Sequence, residues 1–366
     1  MKLLITSVGS LLGQNILDNI ESRRNLIQVT GLDASPQNPR NFRCDSVYIV
    51  PETDSPEFEG AFTKIVEKEN PDFILPGRDG DSIFLSDFKK NNPSLYHNKI
   101  PLGSSFIPRI VLDKYETYLF CKKNNLAFAD SLLFSNQTKI DLLHDFIRKH
   151  GFPLLVKPAK GFGSNGVYFA INEEQLLELS REGEILIQEY LGDPERILKF
   201  KNEFKKGIPL FFQVPEKEQY AAQVIIDPNG GLSNVFITIN SMVLGRAEQI
   251  KQIDNPDIEK LVISYSEVFF KNGWYGPLNL QLKQDKGGNW KVFELNSRLT
   301  GTSSARSLLG FDEFGKLAEL FIPSFRIPNL SSNSKINGHV VKYLSDNLLL
   351  DENVDTLNRL KIWQKS

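Results

Sequence analysis

The first 112 residues alternate short apolar runs with amphipathic stretches, and this constrains the fold more tightly than any other feature of the chain. Residues 3–8, 27–32, 46–50 and 72–75 read as strands, the second closing at Asp33. Residues 11–20 read as a helix with apolar positions at 12, 16, 17 and 20. A second helix is expected from Ser55 (N-cap) and Pro56 (first helical position) to about Glu69, and a third over 81–90. Strands alternating with helices give a parallel sheet with helices on both faces.

That sheet invites two functional readings. Gly9 and Gly13 follow the first strand, and Asp33 closes the second, an arrangement suited to a dinucleotide whose ribose an acid would hold. The three-glycine spacing is absent, so the plainer reading is a Rossmann-like scaffold whose glycines permit a tight turn. Pro76-Gly-Arg78-Asp79-Gly-Asp81 lies at the carboxyl end of the fourth strand, the edge where open α/β sheets bind ligands. It reads equally well as a solvated loop with an N-cap aspartate.

A length of 366 residues implies two or three domains. Net charge is −2 and the pI about 6.2, which gives no support to bulk binding of nucleic acid or anionic membrane. Cys44 and Cys121 are far apart, and His97, His144, His150 and His339 have no metal-ligand spacing. No apolar stretch approaches a membrane span, and the apolar run at the N-terminus is too short for a signal peptide. A cytoplasmic protein is expected.

The second unit opens at Asp113-Lys114. Helices are expected at 114–124, 138–149 and 172–181, and strands at 151–156, 167–170 and 184–191. Between the first two strands lies Lys157-Pro-Ala-Lys160-Gly-Phe-Gly163-Ser164-Asn165-Gly166. Such a loop can lay backbone N–H groups over phosphates, or be a flexible turn. Residues 193–217 are polar and lysine-rich and read as a surface excursion or lid. A hairpin is expected from 219–226 and 232–239, a helix from Asn255 to about Lys271, a small-residue loop at 300–306 leading into a helix, a strand at 340–344 and a helix at 352–363.

The chemistry concentrates in a second hairpin, 276–283 with 292–298. Glu294, Asn296 and Arg298 alternate with Phe293, Leu295 and Ser297, so a strand running that far puts acid, amide and cation on one face. A turn at Gly287-Gly288 sets Gln281 opposite Glu294 and Asn279 opposite Asn296, with a slip of one residue left open by the loose turn. Carboxylate and amide oxygens are hard ligands, and a guanidinium pairs with phosphate, so the face suits a magnesium polyphosphate. Taken alone it could also be an ordinary solvated face.

In order and spacing these pieces resemble the ATP-grasp superfamily, and within it the carboxylate–amine ligases related to the carbamoyl-phosphate synthetase large subunit. The resemblance rests on Leu112-Asp113-Lys114, Leu154-Leu-Val-Lys157-Pro158, the loop 160–166, Ile187-Gln188-Glu189-Tyr190-Leu191, and Gln281 with Glu294-x-Asn296-x-Arg298. It implies an α/β chain with a Rossmann-like domain (1–112), a small lobe with the phosphate loop (113–190), a large lobe with the Mg-ATP site (191–345) and a C-terminal helical tail (346–366). It implies that Lys114, Lys157, Gly163 and Ser164 meet nucleotide phosphates. Gln188, Glu189 and Leu191 would form the adenine linker, the last two through backbone groups. Gln281, Glu294 and Asn296 would hold magnesium, with manganese an alternative. Arg298 would meet the γ-phosphate and the acyl phosphate. Where the family places a ribose-binding glutamate, this chain has Gln219, with Glu218 one residue early. The long 193–217 segment is a second departure.

The implied partners are a small carboxylate and an amine, with a homodimer allowed. Arg298 and Arg246 are the catalytic candidates. Arg246 and Arg306 are spare cations that could grip substrate or be surface residues. Competing expectations are a kinase on the same fold, a non-enzymatic nucleotide-binding module, and an NAD-linked oxidoreductase using 1–112.

Overall fold

The computed structural model describes residues 1–135, 137–161, 166–181, 183–202, 218–243, 245–332, 335–343 and 349–365. Strands β1 (Lys2–Ile5), β2 (Gln28–Asp33), β3 (Ser46–Ile49) and β4 (Phe73–Leu75) are parallel, in the spatial order β3-β2-β1-β4. The first is shorter than expected because Ser7 adopts a left-handed φ of 44° and turns the chain into the loop before the Leu11–Ile20 helix. Ser10 caps that helix, its hydroxyl oxygen accepting from Gly13 N at 2.9 Å. A Cβ on Gly13 would stand 2.3 Å from the Val8 carbonyl, so glycine here answers to close backbone approach. The next helix starts at Phe58 rather than Pro56. The Ser55 hydroxyl bonds to the Glu57 carboxylate instead of capping, which leaves the proline in the preceding turn.

The small lobe is an antiparallel sheet of β5 (Ser131–Phe134), β6 (Leu154–Lys157), β7 (Tyr168–Ala170) and β8 (Ile185–Glu189), in the order β5-β8-β6-β7. Helices Ile140–His150 and Glu173–Arg181 pack beside it. The larger sheet has β9 (Glu218–Ile226), β10 (Phe236–Val243), β11 (Arg246–Ile253), β12 (Gly276–Gln284), β13 (Trp290–Asn296) and β14 (His339–Val341), in the order β13-β12-β9-β10-β11-β14. Strand β10 begins four residues later than expected. Asp227 accepts from Asn229 N and Gly231 N, and the Ser233 hydroxyl accepts from Ile225 N, so the connection is a wide capped turn. Strand β11 gave no sequence signal: its residues are mostly polar and only Ile250 is buried, so no period-2 apolar pattern marks it. In the 193–217 segment, Asp193 caps a helix over Pro194–Lys201, and 203–217 lie outside the described residues.

The C-terminal segment is not wholly helical. The helix ends at Leu360, Lys361 turns left-handed at φ 59°, and β15 (Ile362–Gln364) pairs antiparallel with β3. The Trp363 ring meets Phe42 edge-on at 5.1 Å. The end of the chain thus closes the edge of the N-terminal sheet.

The cores explain how the site is held. One apolar cluster runs from Phe62, Ile74 and Leu85 of the N-terminal unit to Tyr265, Trp274 and Leu280 beneath the large sheet. Another joins Leu3 and Ile16 to Leu299, Phe314 and Leu317. The small lobe has its own cluster around Leu143, Leu154, Val156 and Ile187. Two buried polar ties reinforce the first union: Arg23 pairs with Asp312, and Lys89 Nζ donates to the Tyr275 hydroxyl at 2.8 Å. The N-terminal unit and the large lobe therefore share their cores, which Phe120 and Phe128 also join, while the β5–β8 sheet has a core of its own.

Candidate functional site

One wall of the main cleft is the β12–β13 hairpin. Gln281 pairs with Glu294 and Asn279 with Asn296, the expected register. Toward the turn the register shifts by one, Leu282 facing Val292. The irregularity falls at Phe293 and resets the alternation. Val292 and Leu295 both enter the core, while Glu294 and Asn296 line the cleft. Gln281 Nε2 donates to Glu294 Oε1 at 3.3 Å, and Gln219 Nε2 donates to Gln281 Oε1. Gln219 therefore belongs to the cluster, whereas Glu218 is exposed at the start of β9. Glu294 with the amides of Gln281 and Asn296 makes a donor set that fits a hard divalent cation. Gln281 would have to turn its oxygen toward Glu294, an amide orientation that follows its hydrogen-bond partners.

Arg298 lies two residues beyond the end of β13, not on the strand. Its guanidinium crosses to Asp79 in the first turn of the Asp79–Asn91 helix: Nη2 donates to Oδ2 at 2.8 Å, and Nε stands 2.8 Å from Oδ1. Asp79, Arg298, Glu294, Asn296, Lys114 and Gly161 all line the cleft, with Val111, Leu112, Thr117 and Phe128 as its apolar side. Asp113 caps the Lys114–Lys123 helix through Tyr115 N and Glu116 N, which fixes Lys114 at the cleft, where its Nζ donates to the Gly161 carbonyl at 2.8 Å.

Lys157 ends β6 and is buried, 6% exposed. Its Nζ donates to Gln188 Oε1 at 2.8 Å, and Gln188 Nε2 donates to the Ser131 hydroxyl at 3.0 Å. Burial lowers the ammonium pKa to about 8; the Glu294 carboxylate opposes this and Lys114 adds to it. Gly163 and Ser164 lie outside the described residues. Leu191 is buried at the end of the linker, and Gly192 N donates to the Gln284 carbonyl at 2.8 Å.

Glu189 points the other way from Gln188, as alternation requires. Its carboxylate accepts from Lys291 Nζ and Asp130 N, each at 2.7 Å, and lies 3.4 Å from His150 Nδ1. The linker strand is thereby tied to β13, the strand that carries Glu294.

Other candidates fall elsewhere. Arg246 is exposed at the turn-side end of β11 and is absent from the cleft lining. Arg306 is no surface arginine: it is fully buried, paired with Glu313, and donates from Nη1 to the Thr302 hydroxyl at 2.6 Å and from Nη2 to the Thr300 hydroxyl at 2.9 Å. Asp33 accepts from Gly9 N at 2.8 Å and Ser35 N at 2.9 Å, so its carboxylate closes the loop. Asp81 is buried beneath the 76–81 loop and accepts from Thr6, Ser7 and Thr53 hydroxyls and Gly77 N. Arg78 is exposed and pairs with Glu52. The sequence left 76–81 undecided; the structure divides it into a buried brace, a cleft residue at Asp79 and a surface arginine.

Residues 113–200 match the family model of the carbamoyl-phosphate synthase L chain, ATP binding domain. Over these residues the chain is similar to that ATP-binding domain. It is 30% identical over 154 residues to the carbamoyl phosphate synthase large chain of Clostridium perfringens strain 13, covering 39% of this chain and 14% of that one. The chain thus spans about a seventh of the length of that relative. Among ATP-grasp structures, N5-carboxyaminoimidazole synthetase from Staphylococcus aureus, complexed with ADP, superposes with a TM-score of 0.65 at 15% identity, covering 90% of this chain and 78% of that one. Biotin carboxylase from Campylobacter jejuni gives 0.64 at 15% identity, covering 92% and 74%. Such distant likenesses speak for the fold: a Rossmann-like N-terminal domain followed by the two-lobed grasp. Among the described residues no helix is long and apolar enough to cross a membrane.

Proposed function

We propose that the protein is an ATP-dependent carboxylate–amine ligase that converts a small carboxylic acid to an acyl phosphate and then to an amide, releasing ADP and phosphate. The observation that carries this reading is the gathering of acid, amide and cationic groups at one cleft. Glu294, Asn296, Lys114 and Arg298 line one cleft, Gln281 bonds to Glu294, and the buried Lys157 lies close enough to feel the charges of Glu294 and Lys114.

A carboxylate is a poor electrophile at neutral pH, and phosphorylation makes it one. Phosphoryl transfer needs charge neutralisation and positioning more than covalent help. Lys157 suits this role because its ammonium is buried against an amide rather than a carboxylate, so its charge is available to a phosphate. Lys114 lines the cleft beside Gly161, and Gln188, Glu189 and Leu191 would form the linker against which a base lies. By resemblance Gln219 would hydrogen-bond a ribose hydroxyl. Glu294, Gln281 and Asn296 would hold magnesium, which supplies charge to the polyphosphate. Arg298 is positioned to receive the carboxylate and steady the charge that grows on it. Gly163 and Ser164, outside the described residues, are assigned to the phosphates by resemblance. Arg246 has no support from cleft geometry for a catalytic role.

The test is ATP turnover with panels of acids and amines, followed as ADP release, with hydroxylamine as a universal acceptor that traps acyl phosphates as hydroxamates. Acid-dependent ADP and hydroxamate support the reading. AMP in place of ADP, or a phosphorylated alcohol stable to hydroxylamine, contradicts it; the latter would indicate a kinase on the same fold.

A further inference from the structure

The pair Asp79–Arg298 joins residues 219 positions apart and stands in the cleft wall rather than beneath it. Its side chains are 28% and 16% exposed. The union of the N-terminal unit with the large lobe does not need it, because Arg23–Asp312 and Lys89–Tyr275 already tie the two beneath continuous apolar cores. The pair is also incompletely made. Arg298 Nε lies 2.8 Å from Asp79 Oδ1 but is not aligned to donate, and it is buried without another partner. Nη1 is engaged by the Leu299 carbonyl at 3.0 Å, which anchors the guanidinium whatever its other partner.

Charge decides what can replace this contact. The cleft lining holds Asp79 and Glu294 against Lys114 and Arg298, two of each sign. A substrate carboxylate that takes Arg298 displaces Asp79 and leaves that carboxylate, partly enclosed, without its counter-charge. Such a loss is costly unless the incoming molecule supplies a cation. We propose that Asp79 and Arg298 are the two halves of a recognition site for a zwitterionic amino carboxylate, which enters by exchanging partners with them. The substrate carboxylate takes the Arg298 fork, and the substrate ammonium takes Asp79. The exchange preserves the charge balance of the cleft. It rests on the ligase reading above and names the class of acid that is activated. An ammonium held by Asp79 stays protonated and is not a nucleophile, so the amine that completes the amide comes from a second molecule.

The experiment compares the proteinogenic amino acids with their deaminated counterparts, each with ATP and hydroxylamine, in wild type, Asp79→Asn and Asp79→Glu. In wild type the best amino acid is expected to exceed its deaminated analogue in kcat/KM by on the order of 10- to 100-fold. Asp79→Asn should erase that ratio, chiefly through a raised KM for the amino acid. Asp79→Glu should restore part of it. Equal use of both classes by wild type, or an equal fall for both classes in Asp79→Asn, overturns the inference and leaves the ligase reading standing. Hydroxamate from neither class overturns both.

Discussion

Lys157 and Gln188 meet inside the small lobe, the ammonium donating to the amide oxygen over 2.8 Å. Because burial brings the Lys157 pKa down to about 8, the free protein holds this residue partly neutral in mildly alkaline solution. Phosphates placed beside it favour the charged form. ADP binding near pH 8.5 should therefore take up a fraction of a proton, seen as a dependence of calorimetric binding heat on the ionisation enthalpy of the buffer. Lys157→Met should abolish the uptake and weaken binding. Equal heats across buffers in the wild type would contradict the role given to Lys157. The sign for stability is fixed as well: between pH 8 and 10.5 the unfolded chain binds more protons at this residue than the native one, so its contribution to stability rises with pH there.

Arg306 and Glu313 form a buried pair whose removal on one side leaves an unpaired charge. Arg306→Met should destabilise the fold by about 3–5 kcal/mol, read from denaturant midpoints. Arg306→Met combined with Glu313→Leu should recover much of that loss, because the orphaned carboxylate goes too. A double variant as unstable as the sum of the singles would show that the pair is not the source of the effect.

His150 sits between Asp130 and Glu189 at the end of β8. Burial lowers its pKa, but hydrogen bonding to the two carboxylates outweighs this and leaves it raised. A group raised in the folded state contributes stability that is complete below its unfolded pKa and is lost as pH rises through the folded one. Stability should accordingly fall from about pH 6.5 upward through the folded pKa of His150, and His150→Gln should flatten that part of the curve. Parallel pH–stability curves for wild type and variant would remove His150 from the clamp.

The hairpin was legible because its signals are local. Alternation and turn position gave the pairing of Gln281 with Glu294, and the slip of one residue left open at the turn is present there as the irregularity at Phe293. The helix from Asn255 was legible through its cap, Asn255 Oδ1 accepting from Asp257 N and Ile258 N. Partnerships across the fold were not. Nothing in the order of residues says that Arg298 leaves the strand and finds Asp79, or that Arg306 is buried against Glu313. Strand β11 was missed because its polar face is the larger one, and β15 because three residues carry no period. Both depend on tertiary pairing, which overrides local preference.

In the proposed reaction Glu294 anchors the metal–ATP end of the cleft, and Glu294→Gln removes that anchor. The variant keeps the shape of the side chain and removes its charge. Acid-dependent ADP release is expected to fall by roughly 10²- to 10³-fold or more, with the thermal midpoint nearly unchanged. Turnover retained in a folded Glu294→Gln protein would contradict the account.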